Sequence, residues 1–348
     1  MKKYVVLTRG TICSPCVVYY DLYIEEDIPM SKKNLYIWKK ILAMMFTLIV
    51  VSFCVFAAFE IIPGDPVTGM LGTDATPKRI AELKADYGLD RPFLLRYFSW
   101  VKGCLNLDFG LSYSYHTPVS EIINEKLPVT FVMAIISFLI TIIVSIPVGV
   151  EMAKHVGSKT DKVLYGANQF IMAIPQFFLG LIFTYVFGVV LKLFVPGGYI
   201  SYKQNFFGFM GYMFFPSLAV ALPKIAMTVK LLRSSILVES KKDYVRTAYS
   251  RGNSTTQVLY KHVLKNALMP VVTFLGMAFA DMIAGSIIVE KVFNIPGIGR
   301  ILLTGISNRD YPVVEAIIMI IAFIVVLSNC IVDLLYHKLD PRVGKEGL

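Results

Sequence analysis

Long apolar runs with few charges, separated by polar segments, dominate the chain after residue 30. Six of them have about the 20 residues that a helix needs to cross the hydrocarbon core of a bilayer, or more. The predicted spans are residues 41–59, 129–150, 163–191, 204–223, 266–289 and 311–335. The third is long enough to tilt, and the fourth is expected to continue past Lys224 to Val229. The pattern predicts an all-α integral membrane protein with six transmembrane helices.

The segment between the first two spans is too long to be a plain loop, at about 70 residues. Its stretch "TPKRIAELKADYGLD" has Thr76 as a cap, Pro77 at the first helical position and Gly88 after the last turn. These are helix start and stop signals. A second stretch, "TPVSEIINEKLP", is predicted to be a helix leading into the second span. Residues 61–127 therefore form a helical insertion.

The basic residues predict the orientation in the membrane, because Lys and Arg are enriched in cytoplasmic loops. They concentrate before the first span, between spans two and three, between spans four and five, and in the tail. The segment 60–128 instead carries seven basic and nine acidic residues. Both termini are therefore expected to be cytoplasmic and the insertion extracytoplasmic, in the inner or plasma membrane of a prokaryote.

Composition agrees with a membrane protein and argues against a nucleic-acid partner. Hydrophobic residues make up 56% of the chain and charged residues 17%, below the 25% or so of soluble domains. The net charge of +10 is the basic excess expected of a membrane protein with positive inner loops.

The longest polar interruption in the second half of the chain reads "DYVRTAYSRGNSTTQVLYKHVLKNALMP", from Asp243 to Pro270. Helical spacing predicts a short helix with Tyr244, Val245, Ala248 and Tyr249 on one face. Gly252 is a candidate left-handed residue that ends this helix. "STTQ", which follows, is a capping box for a second helix that continues into span five. From the residues alone, a basic helix resting on lipid and a docking element for a partner are equally good interpretations.

This stretch resembles the cytoplasmic loop of permease subunits of ATP-binding cassette importers, in their dipeptide, oligopeptide and nickel branch. Further similarity lies in "IIPGDPV" after the first span, "LPVTF" at the second, "VEKVFNIPGIGRILLTGISNRDYPVV" before the last, and "LDPRV" in the tail. The resemblance covers about residues 30–343. One departure is that Arg246 and Thr247 occupy the place of the usual acidic start of the loop.

The resemblance implies a coupling helix that docks on an ATPase subunit. The residues implied in this contact are Asp243, Tyr244, Arg246, Thr247, Ala248, Arg251 and Gly252. It also implies two ATPase subunits, a second permease subunit that is a different chain, and an extracytoplasmic substrate-binding protein. The transported substrate would be a di- or oligopeptide, with nickel or another metal complex as the alternative.

ATP and Mg are expected on the partner subunits, because this chain has no G-x-x-x-x-G-K-[ST] phosphate loop. No cofactor is expected on the chain itself, and it is not expected to be an enzyme. The four histidines are scattered, and neither H-E-x-x-H nor G-x-S-x-G occurs. An ion-coupled carrier is a less favoured alternative, since it would normally show paired intramembrane charges or an inverted repeat.

Asp281 is the ionisable residue that stands out within a predicted span. Such residues are candidates for a substrate path because an unpaired charge in lipid is costly. A polar contact to a neighbouring span is the other interpretation. Cys13 and Cys16 in "CSPC" have the spacing of a redox or zinc pair, but no second pair follows them, and no metal site is predicted.

These features divide the chain into five parts. Residues 1–29 are predicted to be a leader that is disordered or precedes the biological start at Met30, with a small interaction element as the less favoured alternative. Residues 30–60 contain a basic segment and the first span. The insertion occupies residues 61–127. Residues 128–336 form the permease core with its coupling loop at 239–265, and residues 337–348 form a cytoplasmic tail.

Overall fold

The computed structural model describes the backbone of residues 30–61 and 76–339, and the side chains of residues 37–61 and 76–334 except residue 86. The predicted leader, most of "IIPGDPV" and most of "LDPRV" with the tail lie outside the described residues. Within the described part the chain is α-helical and contains no strand.

Eleven helical elements follow one another in the described residues. Five are long and apolar enough to cross a membrane by length and composition, and a bent pair would make a sixth span. The elements are α1 (Met30–Ile61), α2 (Pro77–Asp86), α3 (Phe93–Leu105), α4 (Val119–Lys154), α5 (Lys159–Ala173), α6 (Gln176–Val190), α7 (Phe206–Glu239), α8 (Asp243–Ser250), α9 (Thr255–Val292), α10 (Ile298–Asn308) and α11 (Tyr311–Leu339).

The sequence predicted the third span as a single tilted helix, and this prediction is wrong. The span consists of α5 and α6, which meet at an angle of 101°. The break falls at Ile174, whose backbone is extended, and Pro175, which lies before the first residue of α6. Proline has no N–H to continue the helical ladder, and it disfavours the helical conformation of the residue before it. The sequence contained this signal in Pro175.

The fourth span does continue past Lys224, as predicted, because α7 extends to Glu239. It contains Pro216 and Pro223 and remains one helix through both. The predicted helix leading into the second span is likewise continuous with that span in α4, through Pro128.

The helices α4, α7 and α9 pack against one another in the centre. One buried cluster includes Met133, Met213 and Met282 from these three helices. A second cluster, nearer the ends of α4 and α7, is built on Val150 and Leu232. Together the two clusters form the buried interior along these helices.

The insertion packs on the first span through aromatic rings. Tyr97 of α3 lies 5.5 Å from the ring of Phe53 and 5.6 Å from that of Phe56. Its hydroxyl is hydrogen-bonded to Ser52 at 2.9 Å. α2 lies at the predicted place, with Thr76 before its first residue, although the Thr76 side chain makes no capping hydrogen bond. Gly88 has a φ of +65°, the left-handed conformation expected after the helix.

Candidate functional site

The polar loop between α7 and α9 forms a short helix, a glycine turn and a capped second helix, as the sequence predicted. α8 ends at Ser250, and Gly252 adopts a φ of +82°. The Asn253 side chain donates to the carbonyl of Ala248 at 3.0 Å and so satisfies one of the free carbonyls at the end of α8. Ser254 and Gln257 form both hydrogen bonds of the capping box that begins α9.

The inner face of α8 is packed against the bundle. Val245 and Ala248 are buried in the cluster that also contains Val150, Leu232 and Val263. Because protein interiors are close-packed, a larger side chain at position 248 is expected to displace these neighbours. Ala248 therefore packs α8 against the bundle and is not part of the exposed face.

A buried carboxylate at the end of α7 holds both ends of the loop. Glu239 accepts hydrogen bonds from the Tyr244 hydroxyl at 2.8 Å and from the Asn266 side-chain amide at 3.1 Å. It also forms an ion pair with Lys242 at 2.6 Å. Burial and the hydrogen bond to Glu239 raise the pKa of the Tyr244 phenol, so it remains a donor at neutral pH. Tyr244 thus ties α8 to α7 and α9.

The outer face of α8 is exposed and carries both signs of charge. Arg246 and Asp243 lie 3.8 Å apart, with side chains 82% and 97% exposed. Thr247, Arg251 and Gly252 are exposed as well. Of the seven residues predicted for ATPase contact, these five form one accessible surface, whereas Tyr244 and Ala248 point into the bundle. Tyr249, predicted on the apolar face, is exposed.

A second carboxylate braces the same end of the bundle and was not singled out by the sequence analysis. Asp161 of α5 accepts two hydrogen bonds from Arg233 of α7, at 3.0 and 2.8 Å. It also accepts one from the backbone N–H of Gly157 at 2.9 Å. The S-x-x-D spacing from Ser158 is the available sequence signal, because it marks a helix N-terminus. Two parallel hydrogen bonds between a guanidinium and a carboxylate fix the relative orientation of the two side chains as well as their distance.

Asp281 is paired with a lysine on the neighbouring span. The Lys224 ammonium, near the middle of α7, lies 3.0 Å from Asp281 of α9. The lysine side chain is 12% exposed, but that of Asp281 is 66% exposed. Met277 and Ile288, at helical spacing from Asp281, are exposed on the same face of α9. The pair therefore lies at a surface that the described bundle does not cover.

At the opposite end, the buried carboxylate of Glu290 organises the segment before the last span. It accepts hydrogen bonds from the Thr130 hydroxyl at 2.5 Å and from the N–H groups of Gly299 and Arg300 at 2.8 and 3.1 Å. Thr130 in turn accepts from the N–H of Ile298 at 3.0 Å. One carboxylate and one hydroxyl thereby accept hydrogen bonds from the backbone N–H groups in the first turn of α10. A carboxylate at this position also interacts favourably with the positive end of the helix dipole.

Asp310 makes a comparable junction between α11 and the insertion. It is buried and accepts hydrogen bonds from the Ser112 hydroxyl at 2.5 Å and from the N–H groups of Tyr113 and Ser114 at 3.0 Å each. Glu290 and Asp310 were missed because their partners are distant in sequence. Within the described residues, no three His, Cys, Asp or Glu side chains come together in a way that could hold a metal ion.

Comparison with known proteins identifies the family. Residues 145–345 match the inner membrane component of binding-protein-dependent transport systems. Residues 34–134 match the N-terminal region of such membrane components. Both matches fall on the helices described above, and the first includes the α8 loop, Asp281 and Glu290.

Similar proteins match over nearly their whole length. A probable peptide ABC transporter permease protein of Sinorhizobium fredii is 31% identical over 89% of this chain and 99% of its own. The oligopeptide transport system permease protein AppB of Bacillus subtilis is 34% identical over 88% and 98%. The glutathione transport system permease protein GsiC of Salmonella choleraesuis is 32% identical over 88% and 98%. The chain therefore belongs to the family of inner membrane components of binding-protein-dependent transport systems, as a multi-pass permease subunit.

Proposed function

We propose that this chain forms one half of a peptide path across the inner membrane in an ATP-binding cassette importer. Peptides are favoured as substrate because the similar proteins are named for peptides, oligopeptides and the tripeptide glutathione. A second permease subunit, a different chain, supplies the other half. A substrate-binding protein delivers the peptide from the extracytoplasmic side.

The observation that carries the proposal is the construction of the α8 loop. Its inner face is fastened to α7 and α9 by Glu239 and by buried Val245 and Ala248, while its outer face is open. A helix held in this way transmits a displacement to both spans. An ATPase subunit docks on Asp243, Arg246, Thr247, Arg251 and Gly252, and closure of the ATPase pair moves α8 with the ends of α7 and α9. Two sites thus share one moving element, as allosteric coupling requires.

Asp281 lines the path. An exposed carboxylate within a span does not face lipid, because the cost is several kcal/mol even on the most lenient scales. Facing a water-filled path, it is solvated and stays paired with Lys224. The path then presents one negative and one positive side chain to a substrate that itself carries both charges.

The orientation of the chain in the membrane follows from docking of the ATPase on α8. With α8 on the ATPase side, both termini are cytoplasmic, and α2, α3 and α10 lie on the side of the binding protein. ATP and Mg bind to the ATPase subunits, and this chain carries out no hydrolysis.

The proposal is tested by cross-linking in native membranes. Thr247→Cys on the outer face of α8, in a chain whose five cysteines have been replaced by Ser, is treated with a short thiol-to-amine cross-linker. The expected product joins this chain to an ATP-binding subunit, identified by mass spectrometry. Ala316→Cys, a buried position on α11, is the matched control and should give no product.

Two ATPase chains and a second permease should also co-purify with the tagged wild-type chain. Peptide uptake by that complex should require ATP and survive dissipation of the proton gradient. Recovery of the chain alone, with uptake that collapses together with the gradient, would overturn the importer assignment.

A further inference from the structure

A cavity of about 610 Å³ lies where the insertion meets the ends of the first and last spans. Three helix faces converge on it. They are Phe56, Phe59 and Glu60 of α1; Arg96, Ser99, Trp100 and Gly103 of α3; and Tyr311, Pro312 and Glu315 of α11. Each set follows the three- and four-residue spacing of one side of a helix. The rest of the lining comes from the end of α2 and from the segments that follow α2 and α3, and it includes Lys84, Arg91 and Asp108.

Glu315 is a buried charged group of this cavity without a hydrogen-bonding partner among the described residues. The residue is 7% exposed, and its carboxylate makes no hydrogen bond to any described residue. The nearby Arg96 does not fill that role, because it forms two contacts of 3.0 and 3.1 Å with Glu60. A carboxylate held in such surroundings is costly unless something compensates its charge.

Two further polar atoms at the cavity are also unsatisfied. The Tyr311 hydroxyl and the Trp100 indole nitrogen are both buried and have no hydrogen-bonding partner in the described part of the chain. Tyr311 lies one helical turn from Glu315, so its hydroxyl faces the same side of α11. Buried polar atoms in proteins are nearly always paired, and each exception calls for an explanation. Two such atoms, together with the buried Glu315 carboxylate, around one cavity indicate a ligand-binding site.

The chemistry of the walls identifies the ligand class. Aromatic rings share the lining of the cavity with the carboxylate; Phe59 and Tyr311, for example, pack with centroids 5.2 Å apart. A carboxylate within aromatic walls is the arrangement that recognises an ammonium group, by charge and by cation–π attraction. Trp100 can only donate a hydrogen bond, so the same ligand must present an acceptor such as a carbonyl oxygen.

We propose that this cavity binds the amino-terminal end of a short peptide, with its ammonium group on Glu315 and its first carbonyl oxygen on the Trp100 indole. The volume lies within the range of about 300–1,000 Å³ usual for small-molecule sites. The site is at the opposite end of the bundle from α8, where a peptide arrives. The choice of a peptide as the ammonium compound rests on the proposed function; the ammonium site itself rests on the cavity.

The test uses the fluorescence of Trp100. The chain has two tryptophans, so Trp38→Phe leaves Trp100 as the reporter inside the cavity. The full-length variant is placed in phosphatidylcholine nanodiscs and titrated with dialanine, which does not absorb at the excitation wavelength. We expect a saturable change in the intensity and wavelength of Trp100 emission.

Changes to the ligand test the ammonium contact on an unaltered protein. N-acetyl-dialanine lacks the ammonium group and should bind at least tenfold more weakly. Dialanine amide keeps the ammonium group and should bind within about threefold of dialanine, a difference under 1 kcal/mol.

Changes to the protein then test Glu315. Glu315→Gln should weaken dialanine binding at least tenfold, because it removes the charge and keeps the shape. Glu125→Gln is the matched control. Glu125 is an exposed carboxylate on α4, paired with Lys126 at 2.8 Å outside the cavity, and its removal should leave binding unchanged.

Equal binding of dialanine and its N-acetyl derivative, or no response of Trp100 to either, would overturn the inference. A response to phosphatidylethanolamine nanodiscs without a response to dialanine would overturn the peptide as occupant, because the ammonium group would then come from a lipid headgroup. These outcomes are separable from the proposed function, which depends on co-purified ATPases and ATP-driven uptake and not on Trp100 emission.

Discussion

The carboxylates of this molecule differ in how deeply they are buried and in how many hydrogen-bond donors contact them. Glu239, Glu290 and Asp310 are buried and each is satisfied by several donors. Asp281 has one partner, Lys224, and a largely open side. The first three therefore hold helices in place, whereas Asp281 keeps free acceptor capacity at an exposed surface.

Asp281→Asn is expected to lower peptide uptake by about tenfold or more, since it removes the negative charge that the proposed path presents to the substrate. The amount of assembled complex should stay close to wild type, because Asp281 is mostly exposed. The measurement is the initial rate of radiolabelled peptide uptake, normalised to complex. Glu151→Gln, an exposed carboxylate paired with His155, serves as control. Uptake equal to wild type in Asp281→Asn would remove this residue from the path.

Glu290→Ala should destabilise the complex, because three buried donors lose their acceptor at once. Hydrogen bonds to a charged group contribute about 1.5–3 kcal/mol each, so a loss of roughly 3 kcal/mol or more is expected. The readout is the thermal midpoint of the purified complex. Glu121→Ala, at an exposed position of α4, should leave that midpoint nearly unchanged. An unaltered midpoint in Glu290→Ala would show that α10 is held by other contacts.

At the scale of elements, α8 is short and depends on its attachments. Eight residues are too few for a stable isolated helix. Glu239, the capping box of α9 and the glycine turn supply what the helix lacks. Its outer face can therefore remain polar and open to a partner while its position stays defined.

Gly252→Val is predicted to uncouple ATP hydrolysis from uptake. A β-branched residue is strained in the left-handed conformation that Gly252 adopts, by about 1–3 kcal/mol. No described atom lies within 4 Å of an added Cβ, so the effect would come from the backbone and not from a clash. Gly252→Asn is the control, because asparagine tolerates this conformation. Normal peptide uptake per ATP in the valine variant would contradict a role for the turn.

At the scale of the whole molecule, the bundle has two unlike ends. One end carries the α8 loop with its Glu239 and Asp161 supports. The other carries the insertion, α10 and the cavity around Glu315. The central packing of α4, α7 and α9 connects them, so a displacement of α8 is expected to reach the opposite end through rigid helices.

The predicted orientation can be measured directly by thiol labelling. In the cysteine-free background, Thr247→Cys should react with a membrane-impermeant maleimide in inverted vesicles and not in right-side-out vesicles. Glu121→Cys should show the reverse pattern. The expectation follows from the basic residues around α8, which favour the cytoplasmic side. Labelling of both positions from the same side would exclude the assigned topology.

Local signals in the sequence were sufficient for a large part of this description. Apolar run length, the capping box at Ser254 and the glycine at position 252 act over a few residues, and the structure confirms the helices they predict. Pro175 is also a local signal, and it indicates the break in the third span. The length of the apolar run alone predicts one helix for this span, whereas the proline predicts a break.

The remaining features depend on which helices meet, and no local pattern determines that. Glu239 is followed by Lys242 and Tyr244 in sequence, but Asn266 reaches it only because α9 returns beside α7. Glu290 finds Thr130 across 160 residues, and Glu315 faces the cavity because α1, α3 and α11 converge. The sequence by itself determined a membrane-embedded helical bundle with a capped polar loop between α7 and α9, since burial in lipid and helix capping are read residue by residue. Only tertiary packing decided which carboxylates are satisfied and which remain open, because a charge acquires its partners from the helices that pack around it.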